Sequence, residues 1–516
     1  MKKILWADDE IDMLQAHVIF LREKGYDVMT VTNGDDAIYQ VRHYNYDLVL
    51  LDEMMMGKDG LTTLNEIKDY SPHLPVIMIT KSEEESLMED AIGKRIDDYL
   101  TKPVNPSQIL MACKKILEKK DIMNEKMSQQ YAIDVSQLSM SLMKNMDAKD
   151  WIDQALKIFR MDLNLDSSSG QAFRQVLYDQ RKESNVEFGK YVERNYEGWL
   201  RNSDNRPDLS VDLIKKYIIP NLKKNKKVVF IVIDCMRLDQ WLTLEPFFYD
   251  LFKIEKEYYY SILPTATPFS RNALFSGLFP EEIEKMYPQL WSMNEDDESL
   301  NRYEKELLDL QLKRSGVNIG NDLKYVKVMN TEDMKNLEKD MHNYLEASML
   351  AIVVNFVDIL AHSRSDLPIL KDIAPDEAAY RSLTRSWFEH SPMMGILKKI
   401  AQTDATVFLT SDHGSVRGLH ATKVIGDRDT STNLRYKYGR SLKVDKKHAV
   451  IIPRPSDWKL PKRGINTQYI IAKEDYYFVY PTNYNKYLNH YKDSFQHGGI
   501  SIEEMILPIV KLEGKQ

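Results

Sequence analysis

Short apolar runs that each stop at a carboxylate or a hydroxyl recur in two separated blocks of this chain. In the first block ILWA precedes Asp8 and Asp9, LVLL precedes Asp52, and VIMI precedes Thr80. In the second, VVFIVI precedes Asp234, MLAIVVNFV precedes Asp358, and TVFLTS precedes Asp412. Unbroken apolar runs of about four to eight residues read as strands buried on both faces, which is the condition of a parallel sheet. Segments of helical period lie between the runs, so each block is predicted to be an α/β unit. The carboxyl ends of parallel strands open into one crevice, so the acids of a block are expected to meet there despite their separation in sequence.

Between the blocks the pattern changes. From about residue 121 to 215 the sequence is polar and Met-rich, with apolar residues three or four apart, as in WIDQALKIFRMDL and FGKYVERNYEGWL. That spacing predicts amphipathic helices. A chain of 516 residues exceeds one core, at about 100 to 200 residues per domain. The expected division is a first α/β unit over 1–120, a helical linker bundle over 121–215, and a second α/β unit over 216–516. No repeat of solenoid period is visible.

Composition removes several classes of function. No apolar run approaches the roughly 18 residues of a membrane span. The opening MKKILWADDE is interrupted by Asp8, Asp9 and Glu10 before a signal-peptide core can form, so a cytoplasmic protein is expected. Cys113 and Cys235 are the only cysteines and have no metal-ligand spacing, which leaves any metal to carboxylates and imidazoles. The net charge of −8 gives no general attraction to nucleic acid, and no helix-turn-helix is evident, so no DNA-binding domain is expected.

In the first block Asp8, Asp9 and Asp52 would repel one another unless a hard cation such as Mg²⁺ sits among them. The same cation can clamp an incoming phosphoryl group, whose oxygens the Thr80 hydroxyl and the Lys102 ammonium can bind. These residues, in this order, resemble the CheY-like receiver family over residues 1–120. The resemblance implies a doubly wound fold, phosphorylation of Asp52, Mg²⁺ on Asp8, Asp9 and Asp52, and a switch made of Thr80, Tyr99 and Lys102. Met56 stands where receivers usually have proline, and Lys81 where a small residue is usual.

The second block supplies Asp234, Asp358, His362, Asp412, His413 and His497. Asp358 and His362 are one helical turn apart, and Asp412 and His413 meet at a turn ending in Gly414. Mixed imidazole and carboxylate ligands suit Zn²⁺ or Mn²⁺, and this set is large enough for two ions able to hold both oxygens of a phosphoryl transfer. The hydroxyl-rich segment PTATPFSRNALFSGLFP then offers a nucleophile, with Thr267 the choice and Arg271 one turn further as a phosphate contact.

The ordered set is similar to the alkaline-phosphatase superfamily, and HGGISIEEMILP to its PglZ branch, over about 220–516. The resemblance implies an alkaline-phosphatase-like α/β effector with one zinc on Asp234, Thr267, Asp412 and His413 and a second on Asp358, His362 and His497. The hydroxyl segment also resembles nucleotide pyrophosphatases/phosphodiesterases, a likeness that favours Thr267 over Thr265. Ser270 replaces the asparagine of those relatives. A sulfatase signature is excluded, because Thr267 occupies the position of its essential cysteine.

Within NLRYKYGRSLK, Arg435, Lys437, Arg440 and Lys443 are interleaved with Tyr436 and Tyr438, a pattern that lets cations follow phosphates while rings stack on bases. A nucleotide or oligonucleotide diester is the expected substrate. Taken whole, the chain resembles the PorX-type response regulators. That likeness implies a sensor histidine kinase, dimerisation on phosphorylation, a sigma factor partner and a role in type IX secretion. Two readings compete with a phosphodiesterase: a signalling adaptor whose metal site is structural or vestigial, and a phosphomonoesterase or phosphomutase.

Overall fold

The computed structural model describes residues 2–81, 96–117, 119–166, 171–203, 206–291, 301–427, 431, 433–462, 464, 466–482 and 484–515. The chain forms two compact units, Met1–Ile133 and Asp134–Gln516. In the first unit five strands, β1 (Lys3–Ala7), β2 (Asp27–Val31), β3 (Leu48–Asp52), β4 (Val76–Thr80) and β5 (Asp98–Thr101), make a parallel sheet in the order β2-β1-β3-β4-β5. The order reverses between β1 and β3, and that switch point is where a doubly wound sheet opens its crevice. Alternation along β1 sends Ile4 and Trp6 to a core with Val18, Leu21 and Ile109, and Leu5 and Ala7 to a second core with Ala37, Leu64 and Ile67. Both faces are therefore covered by helices. Asn33 and Asp59 cap two of these, accepting from Asp36 N at 2.8 Å and from Thr62 N at 2.7 Å.

The second unit is built on a six-stranded sheet. Strands β6 (Val228–Ile233), β8 (Leu323–Val328), β9 (Met349–Val354) and β10 (Thr406–Thr410) are parallel, in the order β10-β6-β9-β8. The strand Ile506–Gly514 runs antiparallel between β10 and β7 (Phe252–Tyr260). Every residue of β6, β9 and β10 is buried, which accounts for their unbroken apolar sequence. The reversed strand begins at the edge where the parallel strands end. Its preceding loop, with His497, therefore joins the loops that carry the acids.

Helices Ala148–Asp166 and Gln171–Arg201 of the expected linker belong to this second unit. Their aromatic side chains pack on the effector sheet: Trp151 meets Phe188 with ring centroids 5.3 Å apart, and Phe188 stacks on Tyr260 at 6.1 Å. Tyr196 Oη accepts from Leu263 N at 2.7 Å. The linker from Asp134 onward is thus part of the effector's core rather than a body of its own.

Candidate functional site

The first unit brings Asp8, Asp9 and Asp52 together, with one carboxylate oxygen of each within 4.8 Å of the others. Lys102 Nζ lies 2.9 Å from Asp52 Oδ1 and 3.2 Å from Asp8 Oδ2. Burial raises the Asp52 carboxyl to about 6, against the Lys102 hydrogen bond and with help from Asp8. Crowded acids of this kind fit a divalent cation. Gly60 is required behind them for room, because a Cβ there would stand 2.2 Å from Asp52 O. Thr80 Oγ1 donates to Glu53, a neighbour of Asp52 that sequence reasoning missed, since an acid after a strand end reads as ordinary loop. Tyr99 is 38% exposed.

At the carboxyl edge of the second sheet, the chain leaves β6 at Asp234 and turns sharply at Cys235, whose φ of 65° is left-handed. Cys235 N and His413 N both donate to Asp412 Oδ1, at 3.3 and 3.0 Å. His413 Nδ1 lies 3.0 Å from Gly414 O, and a carbonyl only accepts, so Nδ1 carries a proton. That Nε2 faces Thr267 Oγ1 at 2.9 Å and Asp234 Oδ1 at 3.6 Å. Gly414 does not serve the turn by backbone freedom, as expected from sequence. It serves by size, since a Cβ would meet Glu503 O at 1.9 Å.

The second group gathers beside the first. Asp358 and His362 share a face of the helix Phe356–Asp366, with His362 Nε2 3.4 Å from Asp358 Oδ1. His497 Nε2 stands 3.3 Å from His362 Nε2 and 3.6 Å from the same Asp358 oxygen. The His413 and His497 rings stack at 4.4 Å, which joins the two groups into one centre. Burial, and then the neighbouring His413, hold the His497 ring well below the ordinary imidazole range, in the neutral form that ligates metal. Burial opposes the charge on Asp358, but His362 and His497 outweigh it and hold its carboxyl low. Buried Asp358 Oδ1 and Asp412 Oδ2 have no hydrogen-bond partner among the described residues. Unmet acceptors at the heart of each group, with neutral imidazoles alongside, fit a pair of divalent cations.

Two expectations from the sequence need correction. Arg271 is buried, with Nη1 2.5 Å from Asp234 Oδ2 and Nε 2.6 Å from Glu304 Oε1, so its fork is engaged by carboxylates rather than open to a phosphate. Arg435, Tyr436 and Lys437 are buried too, while Tyr438 is half-buried and Arg440 and Lys443 of the expected strip are exposed. Burial pushes the Lys437 amine down to about 7, and it donates to Ser431 O at 2.9 Å. Arg435 and Lys437 therefore cannot track a polyanion. Thr265 is also buried, tied to the His497 loop by hydrogen bonds with Gly498 N and Gly499 O. Thr267, one step into the helix Thr267–Ser276, is the hydroxyl that reaches the acids. Glu304 and Asn301, whose amide donates to Thr267 O at 3.2 Å, carried no sequence signal because they lie more than thirty residues away in polar sequence.

Arg271 is the counter-ion of this cluster. Arg271→Ala is expected to lower the stability of the metal-free chain by about 3 to 5 kcal/mol, because Asp234 and Glu304 would be left buried without a cation. Denaturant unfolding measures this, and added zinc should recover part of the loss. A variant as stable as the parent would show that solvent enters to replace the guanidinium.

Comparison with known proteins follows the same three segments. Residues 4–114 match the response regulator receiver domain, 121–200 the PorX response regulator linker domain, and 213–512 the BREX system PglZ alkaline phosphatase-like domain. Transcriptional regulatory protein ResD of Bacillus subtilis is 34% identical over 117 residues, which are 23% of this chain and 48% of that one. The BaeR regulator of Escherichia coli is 35% identical over 119 residues, again 23% and 48%. The chain thus spans about half the length of the curated relatives it matches. A receiver domain structure from Clostridium thermocellum is 28% identical and covers 24% of this chain and 99% of its own, with a TM-score of 0.22. The PglZ match alone takes in more than half of the sequence, so the chain belongs to the PglZ alkaline phosphatase-like family and, with its receiver and linker domains, is a response regulator of the PorX type.

Proposed function

We propose that the chain is a phosphorylation-controlled, zinc-dependent phosphodiesterase acting on nucleotides or oligonucleotides. The observation that carries this reading is the place of Thr267. Its hydroxyl lies 2.9 Å from His413 Nε2 and 3.5 Å from Asp234, at the start of a helix, whose positive dipole end suits phosphate oxygens. Zinc held by Asp234, Thr267, Asp412 and His413, and by Asp358, His362 and His497, would polarise the phosphoryl group and favour the alkoxide of Thr267. Thr267 Oγ then attacks phosphorus, the ester oxygen departs with a proton as an alcohol, and water later releases the phosphoryl group and restores the hydroxyl.

The receiver supplies control. A sensor histidine kinase passes its phosphoryl group to Asp52, with Mg²⁺ on Asp8, Asp9 and Asp52, and Thr80, Tyr99 and Lys102 read the change. Homodimerisation follows, and through a sigma factor the signal reaches the genes of type IX secretion. No helix among the described residues is long and apolar enough to cross a membrane. Zinc analysis together with turnover of bis-p-nitrophenyl phosphate and p-nitrophenyl phosphate tests the catalytic half. Two zinc ions per chain and faster diester hydrolysis, lost on chelation, are expected. Undiminished turnover in metal-free protein would sink it, and a preference for the monoester would favour a phosphatase. Beryllofluoride with Mg²⁺ should shift the chain from monomer to dimer on a sizing column, and an unchanged profile would reject the coupling.

A further inference from the structure

Arg435, expected to contact substrate, is buried and engaged at every guanidinium nitrogen. Nε and Nη2 grip the two oxygens of Glu504 at 3.2 and 2.6 Å. Nη2 also reaches Glu474 O at 2.8 Å, and Nη1 reaches the carbonyls of Lys473, at 3.3 Å, and Tyr476. Glu504 is not simply a counter-ion. Its Oε1 accepts from Gly499 N at 2.7 Å, two residues beyond His497, and its Oε2 from Ser501 Oγ at 2.8 Å.

The glycines of the His-Gly-Gly motif are shaped by this arrangement. A Cβ on Gly499 would fall 2.2 Å from Arg435 Nη2. On Gly498, which has φ of 115°, it would fall 2.4 Å from Tyr436 Cδ1. The Tyr436 ring in turn meets Phe269 edge-on at 5.4 Å, two residues after Thr267. One face of the loop therefore rests on Arg435 and Tyr436. Thr265 fastens the other, accepting from Gly498 N at 3.1 Å and donating to Gly499 O at 2.8 Å.

We propose that Arg435 is a positioning residue for His497: through Glu504 it fixes the Gly498–Gly499 turn, and so the direction in which the imidazole faces Asp358 and His362. The inference rests on reading those three residues as a metal site. The planar fork is what the task needs, because it holds both Glu504 oxygens in one plane, while a lysine ammonium has the charge without the geometry. Groups that orient a metal ligand typically change metal affinity by about 10- to 100-fold when replaced.

The test is a zinc titration of the full-length chain with a competing chelator, parent beside Arg435→Lys. One of the two zinc equivalents should bind about 10- to 100-fold more weakly, the other should be unchanged, and saturating zinc should restore turnover. Equal affinities in the two proteins, equal weakening of both equivalents, or turnover that saturating zinc does not restore would overturn the role of Arg435. A parent chain that takes up no zinc would instead overturn the metal-site reading beneath it. Should the lysine variant fail to fold, Glu504→Gln keeps the shape of that side chain while removing its charge, and the same loss at one equivalent is expected.

Discussion

Thr267→Ala should lower turnover of bis-p-nitrophenyl phosphate at least about 1000-fold while leaving zinc content at the parent level. The alanine keeps the start of the helix and all six acidic and imidazole side chains, so it subtracts the attacking oxygen and little else. Thr267 Oγ1 is the hydroxyl found against both His413 and Asp234, while Thr265 is committed to the His497 loop and Ser270 to the carbonyl of Ala266. No neighbour can substitute. Thr267→Ser should give an intermediate rate, because it restores an oxygen but loses the β-branch that restricts the rotamer. Alanine and parent proteins of equal activity would remove the nucleophile and favour an adaptor that works by binding.

Cutting the chain ahead of Asp208, so that the effector sheet stands without its linker helices, should abolish stable folding. Arg381, buried on the effector, bonds Asp162 at 2.9 Å and Asp166 at 2.8 Å on one linker helix. Glu377 takes Arg181 of the other in a bidentate pair, and Glu503 is held by Arg181 and by Asn185 at 3.1 Å. Asp239 would still pair with Arg237 and Arg381, but Glu503 would lose both Arg181 and Asn185. Removing the helices also returns to water the apolar face that Phe188 and Trp199 cover at Tyr260, at about 25 cal/mol per Å², against a whole stability of about 5 to 15 kcal/mol. Circular dichroism melts of fragments beginning at Asp134 and at Asp208 would decide the matter. Equal midpoints would mean that the helices are a dispensable cover.

The contrast between these networks and the candidate metal ligands explains what could be read in advance. Asp234, Asp358 and Asp412 follow apolar strands, His362 lies one helical turn from Asp358, and His497 precedes two glycines, so local pattern was enough to collect them. The receiver acids were legible for the same reason. Arg271, Arg435 and Lys437 were misplaced because a cation in polar sequence looks solvent-exposed, and its burial depends on carboxylates or carbonyls brought in by the fold. Arg181 and Glu503 are 322 residues apart. The linker was recognisable as helical from its spacing, but nothing in that spacing said which sheet its aromatic and charged faces would meet. Gly414 was noticed for the wrong cause, as a flexible turn rather than the only residue small enough to pass Glu503.

The strand Ile506–Gly514 lies inside the effector sheet, between β7 and β10, and follows His497 in the chain. During synthesis, β6 and Asp234 emerge long before the strand that completes their sheet and the imidazole that completes their centre. Non-local pairing of this kind delays folding until the late segment is available. The candidate metal centre of a ribosome-bound effector thus closes only after the receiver and linker have already been made.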